Sequence, residues 1–451
     1  MKPSASLLRS LRVPALAALA LVCGAARAVP IIEQWTAPTG AKVQLVSSHE
    51  LPMIDIQVDF TAGSALDPDG KRGLAGFTHA LLDAGAGELD EHAISERAAD
   101  LGLILGGSID EDRVSLTLRT LSAASERDEA VTLAATLLAR PAFPETVLER
   151  ERARALASLR ESLTRPAALA ERAFAAAVYP GHPYGFNVET ASLAAIRRDD
   201  LVAFHARHYG ARNASITLVG DLDRATAEKI AVALTLDLPP GGETPLPPPP
   251  ASLQGSLTRI ANPSEQAHIL IGQPGMSRDD PDYFPLLVGN YILGGGGFTS
   301  RLMSEVREKR GLAYDIHSYF EPRRVAGPFQ IGLQTKGSQS ELALQVVRDT
   351  LTAFIDEGPT EKELRAARDN LVNGFGLRLD SNAKILGYAS AIGFYGLPLD
   401  WLERYPREVA AVSRAAVRDA FARRIHPGNL VTVIAGGDGD KREAGGAAAK
   451  P

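Results

Sequence analysis

The sequence predicts an α+β protein of two homologous domains from an internal duplication, each a mostly antiparallel sheet with helices packed on one face. Three observations carry this. A proline-rich stretch divides the chain near its midpoint, the same order of elements occurs on both sides of it, and 3.6-residue periodicity dominates between the strands. The totals suit such a chain: 451 residues, 48 basic against 54 acidic side chains and 45% apolar content describe a globular protein of ordinary domains. They argue against a largely disordered chain or a coiled coil, and they leave no basic excess for a face that binds nucleic acid.

Taken in order, residues 1–28 read as a secretory signal peptide. Lys2, Arg9 and Arg12 precede an apolar run over 13–22, and Ala26-Arg27-Ala28 is a small-x-small cleavage site. Its removal takes four basic and no acidic residues, so the net charge moves from -6 to about -10. The only cysteine, Cys23, lies in this leader behind Val22, where a lipoprotein signal would have a small residue. The mature chain is therefore expected to carry no disulfide and no thiolate metal site. No later run approaches the ~20 apolar residues of a membrane span, so a periplasmic or otherwise exported soluble protein is expected.

The N-terminal domain is expected over 29–238. An alternating strand at 53–60 precedes a turn at Asp67-Pro68, a second strand falls at 113–119, and helices fall at 94–101, 123–138 and 145–163. A helix at 201–209 then leads through Asn213 into a buried strand. Residues 239–254 form a Pro/Gly-rich linker: the stretch 238–251 holds seven prolines and cannot continue a helix or a central strand. The C-terminal domain, 255–436, repeats the plan. A strand at 267–272 precedes Asp280-Pro281, helices fall at 342–355 and 361–375, a strand at 329–334, and a helix at 417–425 leads through Asn429 into the last strand. Residues 437–451 are expected to be a disordered tail. Two such domains on a long linker can close on a cavity.

Nine histidines are present, but no H-E-x-x-H, H-x-x-E-H, G-x-S-x-G or P-loop. His79 and Asp83 lie four apart on an expected helix and could share one ion with Glu91 or His92; the same residues also read as a helix face and a solvated acidic loop. His205 and His208 share a helix face too, and there an amphipathic surface helix is the plainer reading. In the second half Gly294, Gly295, Gly296, Gly297 and Phe298 lead into a basic helix at 301–309 that Gly311 ends. Four glycines let another backbone approach, and exposed N–H groups there suit a peptide or an anion. Arg307 and Tyr314 bracket the following turn. A permanent cation and a rigid hydroxyl can together hold a carbonyl oxygen as it becomes an oxyanion.

From about Ile32 to Gly437 these residues resemble the pitrilysin/insulinase group of inverted zinc metallopeptidases, which includes the processing-peptidase subunits. The resemblance rests on Gly73-Leu-Ala-Gly-Phe77, Gly106-Gly107 and Tyr179-Pro-Gly-His-Pro-Tyr-Gly185. In the second half it rests on the run from Leu293 to Leu302, Arg307-x6-Tyr314, the run from Glu357 to Leu364, and Tyr395-Gly-Leu-Pro398. Active members carry His-x-x-Glu-His where this chain reads Gly76, His79 and Ala80, and a third zinc ligand where it reads Ser158; the supporting acid survives as Glu151. Asp110-Glu111 also replaces the usual Asn-Ala, so the substrate-edge strand looks altered.

The resemblance thus implies that the zinc ligands and the general base are missing, while Arg307 and Tyr314 match the residues that face the zinc centre from the opposite domain. It implies no cofactor bound by this chain and zinc in a homologous partner subunit. The expected function is that of an exported, catalytically incomplete subunit of a heterodimer acting on unfolded peptides, with Gly294 to Phe298 binding substrate. Two alternatives stand beside it: a non-enzymatic peptide-binding or structural subunit of the same fold, and an active metallopeptidase with a metal site rebuilt at His79, Asp83 and His92.

Overall fold

Period-two alternation along Met53–Phe60 places Ile54, Ile56, Val58 and Phe60 on one side of a strand and Asp55, Gln57 and Asp59 on the other. In the computed structural model, which describes residues 29–242 and 244–437, this segment is the middle of the first sheet. The expected signal peptide with Cys23, and the tail beyond Gly437, lie outside the described residues.

The first half contributes β1 (Glu33–Thr36), β2 (Lys42–Ser47), β3 (Met53–Phe60), the short pair β4 (Gly85–Ala86) and β5 (Leu89–Asp90), then β6 (Ile104–Ile109), β7 (Val114–Leu121) and β8 (Ala214–Gly220). The six long strands lie in the order β1-β2-β8-β3-β7-β6, antiparallel except for β2 against β8. The second half supplies β9 (Ser256–Ile260), β10 (Gln266–Met276), β11 (Ile316–Phe320), β12 (Gly327–Lys336) and β13 (Val431–Gly436), in the order β11-β12-β10-β13-β9. Here the parallel pair is β13 with β9. In both sheets the late strand lies between the central strand and a parallel neighbour, and a hairpin builds the far edge. This is the duplication read from the sequence, realised as repeated topology.

Helices of each half cover one face of that half's own sheet. Beneath β2, β3, β7 and β8, residues such as Leu45, Ile56, Leu118 and Leu218 pack with Leu133, Leu137, Leu201 and Ile230 from the helices Ala124–Ala139, Arg198–His208 and Arg224–Thr235. The opposite faces are covered as well, and by the other half of the chain. The helix Pro166–Val178 lies on β10 and β13, where Ala170, Phe174 and Val178 meet Leu270, Val431 and Val433. In return the helix Asn382–Tyr395 lies on β8, β3 and β2.

The two cross-packings differ in chemistry. The first is apolar. Under the second lie Gln44, Gln57, Asp59, Ser215 and Thr217, all buried. Gln57 donates to Asp59 (2.7 Å) and to Ser390 on the covering helix (3.0 Å), and Gln44 accepts from Ser215 and Thr217. Burial pushes the Asp59 carboxyl up to about 6, against the opposing pull of Arg113 and the Gln57 hydrogen bond.

The helices of the two halves interlock, and residues from both halves line open cavities along the seam. The linker is strapped down: the Ala211 and Arg212 amides donate to Pro239 and Pro240 (2.8 and 3.1 Å), and the His182 ring to the carbonyl of Pro248 (2.8 Å). His205 and His208 sit on a buried helix face, not a surface one, because His205 donates to Leu138 O (2.7 Å) and stacks on Tyr209 (4.8 Å).

The Asp110–Arg113 turn, read as an altered substrate edge, serves the joint between the halves. Asp112 accepts from Tyr184 OH (2.5 Å) and from the Arg324 amide (2.8 Å), while Glu111 pairs with Arg323 (2.9 Å).

Phe174→Ala is expected to cost about 3–5 kcal/mol in denaturant unfolding, as for a large buried aromatic. Asp59 holds its proton more tightly when folded, so its contribution to stability falls as pH rises from the unfolded value through about 6. Asp59→Asn should therefore gain on the native chain by about 3 kcal/mol between about pH 4 and about pH 7. A difference that stays flat with pH would show that Asp59 does not titrate in the seam.

Candidate functional site

The scaffold of the first-half site is intact although its ligands are not. Gly73 precedes the short helix Leu74–Ala80 with φ 105°, a conformation that favours glycine, and an added Cβ would lie 2.8 Å from Leu193. Asp67 accepts from the Gly73 and Ala75 amides (both 2.7 Å), satisfying donors at the open helix start. One turn on, Gly76 faces open space with no atom within 4 Å of a would-be Cβ, and Ala80 is exposed. Ser158 is exposed on the helix Glu145–Ser162. The surviving acid, Glu151, accepts from Arg150 and Arg154 (2.8 Å each), and Arg150 also grips Glu91 through two bonds (2.8 and 2.9 Å).

His79 stands where a general base would be. Its ring lies against Gly107 of β6, so close that a Cβ there would fall 2.6 Å from Cε1. Its Nδ1 is buried without a partner, and burial holds the imidazole below its ordinary pKa, with Asp83 opposing. His92 is exposed on the helix Glu91–Asp100. Among the described residues no group of three or more His, Cys, Asp or Glu side chains is placed to hold a metal ion, so His79, Asp83 and His92 do not form a rebuilt site. The donor set does not fit zinc either: Gly76 and Ala80 offer no ligand atom, and one exposed hydroxyl at Ser158 cannot replace three.

The second-half cluster is assembled. The helix Tyr283–Asn290 continues into a π-helical turn, Tyr291–Gly295, then a 3₁₀ turn, Gly297–Thr299, and a second π turn, Met303–Glu308. The glycine run is therefore partly helical where a loop was expected. Gly294 is buried against β11, where a Cβ would fall 2.4 Å from Ser318 Oγ, and the Gly296 amide is spent on Tyr291 O (2.8 Å). The Gly296 amide is thus not free for a ligand, contrary to expectation, and Gly294 is buried, while Gly295, Gly297 and Phe298 remain exposed.

Arg307, Phe298 and Tyr314 do come together. The Arg307 guanidinium lies 4.9 Å from the Phe298 ring centre and 5.4 Å from that of Tyr314. Glu305, in the same turn, is taken by Lys309 (2.6 Å) and Arg310 (2.7 Å), and the half-buried Arg307 meets π faces and no carboxylate among the described residues. Tyr314 is 83% exposed and Phe298 67%.

Sequence reasoning missed the clamp beneath. Arg301 binds Glu363 through two bonds (2.6 and 2.7 Å) and reaches Gly358 O (3.0 Å). Against desolvation, these bonds and the Thr360 cap hold the Glu363 carboxyl down at about 2. The Thr360-x-x-Glu363 capping box was the available signal.

The repeated sheets, the donorless helix and the intact arginine–aromatic turn define an inverted-metallopeptidase-like fold without its metal. Residues 42–191 match the insulinase family (peptidase family M16), and residues 195–371 match the peptidase M16 inactive domain. A peptidase M16 inactive domain from Pseudomonas fluorescens, solved by crystallography, is similar at 38% identity and TM-score 0.87 over 90% of this chain and 97% of that one. The chain belongs to the insulinase family, M16. It is also 27% identical to the non-peptidase homolog YmxG of Helicobacter pylori, across 87% of this chain and 92% of that protein. A Helicobacter pylori protease shares the fold at TM-score 0.82 and 18% identity, over 90% of this chain and 99% of that one.

Elemental analysis of the purified chain after exposure to zinc is expected to give clearly substoichiometric metal. One zinc per chain, lost in His79→Ala, would overturn the account of this site.

Proposed function

We propose that this chain is an exported, catalytically incomplete subunit that pairs with a zinc-bearing homologue in a heterodimer acting on unfolded peptides. Arg307 and Tyr314 would reach the partner's active site in trans. The observation that carries this reading is the pairing, in one chain, of a helix with Gly76 and Ala80 at the ligand positions and an arginine stacked against two exposed aromatic rings. Such a cluster buries little and adds little to folding; its donors suit a carbonyl oxygen acquiring charge. The exposed edge β6 would take a peptide as an added strand. Export rests on the leader-like pattern of residues 1–28, and among the described residues no helix is long and apolar enough to cross a membrane.

The likeness to a protein named a non-peptidase homolog favours a second reading, a subunit of the same fold that binds peptides or serves a structural role without taking part in hydrolysis. The two readings differ on one point. In a reconstituted complex with a zinc-bearing homologue, Arg307→Ala and Tyr314→Phe should each lower the peptidase rate about 10- to 1000-fold while complex formation persists. Unchanged rates would favour the second reading.

A further inference from the structure

Apart from both sites, an open cavity of about 470 Å³ is lined by four cations, Arg113, Arg278, Arg378 and Lys384, and by no acidic residue. Two of the four are compensated nearby. Arg113 lies 3.5 Å from Asp59 and 3.4 Å from Asp110, and Lys384 lies 2.8 Å from Asp380.

The other two have no carboxylate partner among the described residues. Arg278 is stacked over the Tyr395 ring at 4.9 Å, and its Nε is buried with no hydrogen-bond partner. Arg378 is exposed, with Tyr388, Tyr405 and Tyr283 for neighbours and a side-chain hydrogen bond to Tyr388, and no carboxylate among the described residues pairs with it. The buried Nε of Arg278 is a cationic donor without an acceptor, which is costly, and a chain with more acidic than basic residues has carboxylates to spare for it. Stacking fixes a guanidinium plane and leaves its edge for a two-pronged bond to a carboxylate.

The rest of the wall is apolar or small. Leu377 is 71% exposed at the rim, and Gly387 on the helix Asn382–Tyr395 has no atom within 4 Å of a would-be Cβ. Such a wall suits chain atoms beside a charged group better than a hydrated ion by itself.

We propose that this cavity binds an acidic segment of a peptide, with Arg278 and Arg378 taking its carboxylates. The inference rests on the proposed function only in taking the ligand to be peptide. Its test uses this chain alone, with no partner and no hydrolysis, so either can fail without the other.

The measurement is fluorescence anisotropy of the full chain with a dye-labelled peptide carrying paired glutamates, against the same peptide with glutamines. The glutamate peptide is expected to bind ~10- to 100-fold more tightly. Arg278→Gln and Arg378→Gln should each erase most of that preference. Gly387→Leu, which fills the cavity and leaves both arginines in place, should weaken binding with the melting temperature kept. Equal affinity of the native chain for the two peptides overturns the proposal without any variant. So does a glutamate preference that survives in these variants when they are folded. Displacement of the glutamate peptide by inorganic phosphate as readily as by unlabelled glutamate peptide would mark a free-anion site and overturn the peptide assignment.

Discussion

Everything in this molecule depends on two helices that cross from one half to the other. Pro166–Val178 belongs to the first half and covers the second sheet; Asn382–Tyr395 belongs to the second half and covers the first. A sheet with both faces buried needs a layer on each, and here each half supplies the second layer of the other's sheet. Asp112, tied to Tyr184, the Arg324 amide and more loosely Tyr395 OH (3.4 Å), fixes the angle at which the exchange occurs. The strapped linker is a consequence: once the halves interlock, the segment joining them has only a surface path to follow.

The unequal chemistry of the two crossings has a physical logic. Phe174 and its neighbours make an apolar contact that is strong and tolerant of small shifts. The glutamines and Asp59 under the other helix form a directional network, which fixes register more sharply and costs more when a partner is missing. The first sheet, which carries the former metal helix, is thus positioned by the stricter of the two contacts.

What was legible in the sequence was local. Period-two strands and 3.6-residue helices sit within short windows, and backbone geometry turns such windows into elements directly; the duplication came from matching such windows across the chain, and the lost ligands at Gly76, Ala80 and Ser158 from the family resemblance. What was not legible was non-local. Gln44, Gln57 and Asp59 alternate with apolar residues and read as a wet face, since nothing nearby in the chain announces a cover supplied more than three hundred residues later. Arg113, Arg278 and Arg378 are likewise unremarkable until folding gathers them. The glycine run misled for another reason: four glycines signal freedom, but Ser318 and Asn290 use the missing side chains for close packing.

The open space at Gly76 has a consequence for repair of the site. Asp67 caps the helix and Gly73 turns into it, so the cradle stands although Gly76 and Ala80 offer no donor atoms. A histidine Cβ would meet nothing there. What separates this helix from a ligand-bearing one is therefore counted in substitutions, not in rebuilt backbone.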